Sequence, residues 1–255
     1  MARARAAKKK DGLLETVKTV VYAILIAVVF RTLLFQPFWI PSGSMKSTLL
    51  IGDYLFISKY SYGYSRHSLP FSFPPFDGRI WGGEPERGDV IVFKHPRTGE
   101  DYIKRLIGLP GDKVQMREGV VYLNGEPLAQ ERTNFFVEDI DPGRTKCVER
   151  ATVEGEVRCV KEAFKETLPS GRSYTVLNAD GNSGASDNTD IFTVPADNYF
   201  FVGDNRDNSN DGRMDVGFVP YENLVGRAEL IALSSDGPFY QIWNWRFDRF
   251  LTVIR

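Results

Sequence analysis

A mainly β protein carried on one N-terminal transmembrane helix is what this sequence predicts, on three observations. A charge-free apolar run, TVVYAILIAVVF, covers Thr19–Phe30 near the N-terminus. Aromatics make up 13% of the 255 residues, with 23 Gly and 14 Pro, a balance that favours strands and turns over a helical bundle. Beyond the apolar run, short β-branched or aromatic segments recur, each closed by a turn signal.

The elements follow in chain order. Residues 1–15 read as a basic cytoplasmic segment, because Arg3, Arg5, Lys8, Lys9 and Lys10 precede the first acid, Asp11. Residues 16–38 read as the membrane anchor. Twelve uncharged residues are too few to span a bilayer, but the longer stretch suffices if Lys18 and Arg31 snorkel to the two interfaces. The positive-inside rule keeps the basic residues cytoplasmic and places everything after the span outside. A cleaved signal peptide, with Ser42 and Ser44 as the small residues before the cut, competes with this reading. The apolar segment runs on through Leu33, Leu34, Phe35, Phe38 and Trp39, which favours an anchor.

After the anchor, DVIVFKHP, DYIKRLIG, KVQMREGVVYLNGEPL and DNYFFVGD read as strands. Pro-Arg-Thr-Gly, Pro-Gly-Asp and Asn-Gly supply the turns. Tyr62 to Gly83, rich in Pro, Gly, Ser and aromatics, reads as a long surface loop. Residues 131–192 hold few strand-like runs and both cysteines, and read as an inserted or elaborated region. Cys147 and Cys159 lie on the oxidising side of the membrane and are expected to form a disulfide without a part in the chemistry. The C-terminal PFYQIWNWRFDRFLTVIR mixes Trp243, Trp245, Phe247 and Phe250 with arginines. It either completes the core or lies in a membrane interface.

Net charge is −1, with 25% charged residues, so nothing marks a nucleic-acid partner. Two cysteines and two histidines exclude a multi-ligand zinc site of the Cys/His type. Three stretches carry chemistry. WIPSGSMKSTL sets two hydroxyls around Gly43 just past the anchor. A serine needs a base, and both histidines, His67 in the Pro/aromatic loop and His95 before Pro96, read as surface residues. A buried, neutral lysine is the other base known for serine. In YIKRLIG, Lys104 shares a strand face with Tyr102 and Leu106, which makes it a candidate for burial, while most strand lysines point to water. GDNRDNSNDGR, Gly203–Arg213, approximates a calcium loop at Asp207, Ser209, Asp211 and Gly212, but has Phe218 where an EF-hand needs Glu. A polar loop folded tightly against a core is the alternative, orienting a catalytic group.

These three stretches in this order, behind this anchor, resemble the bacterial type I signal peptidase family. PSGSM with the following TL is similar to its nucleophile box, YIKRLIGLPGD to its general-base box, and GDNRDNS with Asp211 and Arg213 to its supporting box. The resemblance covers essentially the whole chain except the region around 130–195. It implies a membrane-anchored, β-rich catalytic core, residues 39–112 and 196–255, with an inserted second β-domain, residues 113–195. Its activity would be a serine endopeptidase that removes signal peptides from exported preproteins at the outer face of the cytoplasmic membrane. Ser44 would be the nucleophile and Lys104 the general base. The Ser44 N–H and the Ser42 hydroxyl would form the oxyanion hole. Ser209 would aim the Lys104 amine by a hydrogen bond, Asp211 and Arg213 would pair, and Asp204 could hold Arg105. Phe38, Ile40, Met45, Leu49, Tyr102 and Ile103 would line shallow pockets for small side chains at −3 and −1. The implied partners are signal peptides and the lipid bilayer, with no cofactor and no metal. Two departures stand out: Ser47 where the family commonly has Pro, and Gly212 inside the third box.

Two other classes are weighed beside this one. A self-cleaving Ser-Lys repressor would need a DNA-binding domain where this chain has its span. An anchored, noncatalytic binding module would form no Ser44 adduct with an acylating probe.

Overall fold

The computed structural model describes residues 2–69, 76–141, 147–179, 181, 184 and 186–254. Helix α1 (Ala2–Leu33) carries the apolar run. Its segment Gly12–Leu33 has 22 residues of mean hydropathy 2.1, long and apolar enough to cross a membrane and unburied against the rest of the molecule. Thr16 and Thr19 return their hydroxyls to the carbonyls of Gly12 and Glu15, so neither leaves a donor facing lipid.

The helix stops short of the anchor boundary expected at residue 38. Residues from Phe35 onward belong instead to strand β1 (Phe35–Trp39), antiparallel to β2 (Asp53–Ser58). Pro37 supplies the reason. It cannot donate within a helix and it biases Gln36 toward extended backbone. β1 is an edge strand of its sheet, where a missing donor breaks no ladder.

Strands β3 (Val90–Lys94) and β4 (Asp101–Gly108) complete the first half of the body. Nine strands follow: β5 (Lys113–Arg117), β6 (Val120–Leu123), β7 (Glu126–Pro127), β8 (Ala129–Arg132) and β9 (Phe136–Glu138), then β10 (Glu149–Val153), β11 (Glu156–Thr167), β12 (Ser173–Asn178) and β13 (Phe192–Thr193). The chain closes with β14 (Asn198–Val202), β15 (Phe218–Pro220), β16 (Leu224–Ser234) and β17 (Thr252–Val253).

The largest sheet runs β1-β2-β16-β3-β4-β14-β15, with β17 on β16. Its central strands are apolar on both faces. Val90, Val92 and Ile103 pack with Ile40, Met45, Leu49, Leu55 and Ile57 on one side. Ile91, Phe93 and Leu106 pack with Tyr62, Tyr199 and Phe201 on the other. Two further sheets come from residues 113–193: β13-β5-β6-β7, and β10-β11-β12 with β8 and β9 also on β11. A third cluster joins them to the first, since Ile107, Phe200 and Val202 pack with Val114, Met116, Leu123, Leu168 and Val176.

The scarcity of strands expected across 131–192 is overturned: β11, of 12 residues, lies there. Its polar residues hid it. Lys161 and Glu166 are buried and ion-paired, with Glu138 at 2.7 Å and Arg206 at 2.5 Å, so charged side chains occupy positions that strand patterning reserves for apolar ones. The loop expected over Tyr62–Gly83 is tied down rather than simply superficial. Tyr62 is buried with its hydroxyl on Asp89, and Arg79 donates to the carbonyls of Tyr221 and Leu224; residues 70–75 lie outside the described residues. Cys147 and Cys159 are disulfide-bonded, with their Cα atoms 5.5 Å apart.

At the C-terminus the rings of Trp245, Phe247 and Phe250 pack against one another in tilted pairs. Phe239, Tyr240, Trp243, Phe247 and Leu251 are nonetheless exposed, so these side chains are outside the core. Arg246 is turned inward onto the carbonyls of Ile51 and Ser235. Trp emission from a variant lacking residues 1–33 should therefore shift to the blue on adding anionic liposomes. An unmoved spectrum would rule out contact of these aromatics with lipid.

Candidate active site

β4 sets Lys104 between two strands, β3 with Ile91 as its cross-strand partner and β14 on the other side. A lysine there has little route to water: Lys104 is 4% exposed. Its Nζ is hydrogen-bonded to Ser44 Oγ at 2.6 Å and donates to Ile103 O at 3.0 Å. The Tyr102 ring lies 5.3 Å from the amine, on the strand face the alternation assigned to both. Burial lowers the Lys104 pKa to about 8, against the opposing pull of Asp211 and Asp204.

Ser44 sits in the loop between β1 and β2. Ile40 and Asp53 pinch its base, with Ile40 N–H on Asp53 O and Gly52 N–H on Ile40 O. Asn205 fastens the turn from the other side. Its Nδ2 donates to Gly43 O at 2.8 Å and its N–H to Ser44 O at 3.1 Å. Ser42 is exposed, with its Oγ 3.5 Å from Ser44 Oγ. Among the described residues, the Ser44 N–H has no hydrogen-bond acceptor. Gly43 O and the Ser44 N–H belong to one planar trans peptide, so anchoring the carbonyl turns the N–H the opposite way, free to meet another acceptor.

The loop after β14 encloses the site with paired charges. Arg105 grips Asp204 through two bonds of 2.8 and 2.7 Å, both side chains 1% exposed, and also holds Gly88 O and Thr48 Oγ1. Its guanidinium stacks over the Tyr174 ring at 4.0 Å. Arg213 makes a similar fork on Asp211, at 2.9 and 2.8 Å. Burial pushes the Asp211 carboxyl up, but the Arg213 pair and the Gly203 N–H outweigh it and hold it below the ordinary carboxylate range. With Asp211 so committed and Asp207 accepting from Ala179 N–H, the calcium-loop reading loses its ligands.

Ser209 is placed differently from its expected role. Its buried hydroxyl lies beside the Asp211 carboxylate, which it helps to hold ionised, rather than on the amine, and the Lys104 bonds go to Ser44 and Ile103. It lies close by, however: a Cβ on Gly203 would overlap Ser209 and stand 2.7 Å from Ser44 O, so only glycine lets the two loops meet. The Gly212 departure has a steric reason too, since a Cβ there would come within 2.8 Å of the Phe200 ring and Phe201 O.

Of the six expected pocket residues, Ile40, Met45, Leu49 and Ile103 are buried in one cluster with Phe38 packed half-buried against it. Tyr102 packs in the cluster on the other face of the sheet. His95 is a core residue, not a surface one: it is 1% exposed, and its Nδ1 accepts from the Arg97 and Thr98 N–H groups. His67 accepts from Arg66 Nε. The sequence reading missed Asn205, although it lies inside the third box, and Thr48, whose hydroxyl bonds Asp204.

A model of the family described as "Signal peptidase, peptidase S26" matches residues 13–233. Signal peptidase I of Rickettsia typhi is 46% identical over 223 residues, covering 84% of this chain and 78% of that protein. Signal peptidase I of Rickettsia canadensis is 43% identical over 226 residues, covering 86% and 79%. Among solved structures, a signal peptidase I from Enterococcus faecalis V583 is 27% identical and covers 56% of this chain and 96% of its own, with a TM-score of 0.31. A family match reaching from the apolar helix into β16, together with the identity to the rickettsial proteins, shows that this chain belongs to the signal peptidase family, peptidase S26.

Proposed function

We propose that this chain is a single-pass endopeptidase of the cytoplasmic membrane that removes signal peptides from exported preproteins on the extracytoplasmic side. Ser44 is the nucleophile and Lys104 the general base. The observation that carries the reading is the 2.6 Å contact between Lys104 Nζ and Ser44 Oγ inside a site buried enough to bring the amine to a pKa of about 8.

In the neutral state the Lys104 lone pair accepts the Ser44 proton as Oγ attacks the scissile carbonyl. Negative charge then develops on the substrate oxygen, where the Ser44 N–H and the Ser42 hydroxyl donate to it. Lys104 passes its proton to the departing amine, leaving an ester on Ser44. Water, deprotonated by Lys104, hydrolyses that ester and restores the serine. Asp204 and Asp211 keep their arginine partners throughout, so their pull toward a protonated Lys104 stays weaker than the effect of burial. Ile40, Met45 and Leu49 are packed in the core beside the Ser44 turn, and the substrate side chains presented at −3 and −1 are small. Ser209 is buried against Gly203, close to the Ser44 backbone, and its role in this reading is to orient the Lys104 amine.

A signal peptide is cut just past its apolar segment, so the nucleophile must stay near the membrane plane. Here Ser44 follows α1 by one short strand, and the Leu34 carbonyl accepts from Lys59 N–H at 3.1 Å, holding the helix end to the body.

With a model preprotein, Ser44→Ala and Lys104→Ala should each reduce kcat by about 10³-fold or more with the fold intact, and the double variant should be little worse. Losses that multiplied would refute the dyad. Lys104→Arg should not rescue, since a guanidinium stays protonated. An acylating probe should form an adduct that depends on Ser44; a binding module would form none.

The pH profile follows from the lowered amine pKa. The protonated amine, dominant below that pKa, cannot take the serine proton, so kcat/KM should rise as pH climbs through about 8 and level off above it. A rise near pH 6.5 that vanished on replacing His67 or His95 would point to a histidine base instead.

A further inference from the structure

The nucleophile turn carries an ion cluster that the chemistry above leaves unused. Lys46, two residues after Ser44, pairs with Glu138, and the other carboxylate oxygen of Glu138 lies 2.7 Å from Lys161 Nζ. All three are enclosed, with side-chain exposures of 10% for Lys46, 10% for Glu138 and 1% for Lys161. One carboxylate thus serves two ammonium groups where an unpaired charge is strongly destabilising.

The cluster reaches the reacting atoms through Gly43. The Cε, Cδ and Nζ atoms of Lys46 stand 3.1, 3.3 and 3.6 Å from the point that a Cβ on Gly43 would occupy. The Lys46 N–H donates to Gly43 O at 3.2 Å, beside the Asn205 amide on the same carbonyl. Lys46 therefore lies folded across the peptide whose N–H belongs to Ser44.

Glu138 reaches this turn from 92 residues away. In the β9–β11 ladder it stands opposite Cys159, so both side chains leave one face of the sheet, and Lys161, two residues on, shares that face. β9 has three residues and, among the described residues, pairs only with β11 and is followed by no strand before Glu149. So short an edge strand is weakly held by its own ladder. The Cys147–Cys159 disulfide returns the chain leaving β9 to β11, at the residue that faces Glu138.

We propose that Glu138 is a positioning residue for Ser44: the disulfide holds it in register, it holds Lys46 across Gly43, and the Gly43–Ser44 peptide is thereby aimed. The inference rests on the reading of Ser44 as the nucleophile. The cysteines touch no reacting atom and act through Glu138.

The test uses the full-length protein and a model preprotein. Glu138→Gln and Lys46→Met should each lower kcat about tenfold, because small misplacements of reacting groups are costly, with KM and the pH midpoint unchanged. Lys46→Arg should recover most of what Lys46→Met loses, since a guanidinium also grips a carboxylate. The Cys147→Ser/Cys159→Ser variant should lose kcat in the same direction, with no further loss when Glu138→Gln is added. Amide hydrogen exchange should quicken at Lys46 and Asn205, whose N–H groups bond Gly43 O and Ser44 O. If Glu138→Gln does not fold, Lys46→Met/Glu138→Leu/Lys161→Met removes the whole cluster without stranding a charge and gives the same readouts. Folded variants with wild-type kcat and exchange would overturn the latch, as would a shifted pH midpoint or losses that multiply. A wild-type chain that cleaved no preprotein and took no acyl probe would overturn the proposed function, while the exchange rates, read without substrate, would still decide the latch.

Discussion

Enclosing Lys104 without leaving any nearby charge unpaired is the constraint on which the rest of the site depends. An amine in a β-sheet interior sheds its proton readily, because the ammonium form has lost its water. Two carboxylates, Asp204 and Asp211, lie near enough to oppose that loss. Each is gripped by its own arginine through two hydrogen bonds, Asp204 by Arg105 and Asp211 by Arg213. A third buried acid, Glu166, is paired with Arg206 and accepts the Tyr174 hydroxyl. The arginines stay charged at any ordinary pH, so the anions are satisfied locally and Lys104 is left as the group whose charge state changes.

That arrangement demands close packing of three chain segments. Gly203 and Gly212 are the points where the loop after β14 meets Ser44 and Phe200, and any side chain at either would push it away. Asn205 uses both its side chain and its backbone to hold the peptide groups on either side of the Ser44 Cα. The result is a hydroxyl with an amine against it and a backbone donor left open, on a turn that cannot easily rotate.

Residues 113–193 take part in this although, among the described residues, none of their side chains bonds Ser44 or Lys104. Tyr174 on β12 lies under Arg105, Thr175 O accepts from Ser47, and Glu138 on β9 meets Lys46. The shared cluster around Phe200 and Val202 binds these strands to the main sheet. Ser47, where the family commonly has Pro, thereby gains a hydrogen bond that proline could not make.

Much of this was legible in the sequence, and the reason is locality. A charge-free run declares a span, turn residues between β-branched runs declare strands, and the chemistry of a box such as GDNRDNSNDGR is carried within eleven residues. Two cysteines, read by the positive-inside rule as lying on the oxidising side of a membrane, are expected to pair with each other. The end of the anchor was not legible, because Phe35, Phe38 and Trp39 suit lipid and an edge strand equally, and pairing with β2 chose between them. β11 was hidden because its buried Lys161 and Glu166 find their partners on other segments. The Ser209 hydroxyl, the clasp of Asn205 on Gly43 and the Lys46–Glu138 pair depend on residues 92 or more positions apart, or on the last few tenths of an ångström between loops. Even the central contact, Lys104 to Ser44, spans 60 residues. Composition and spacing set which groups are available to react; strand register and close packing alone set which of them touch.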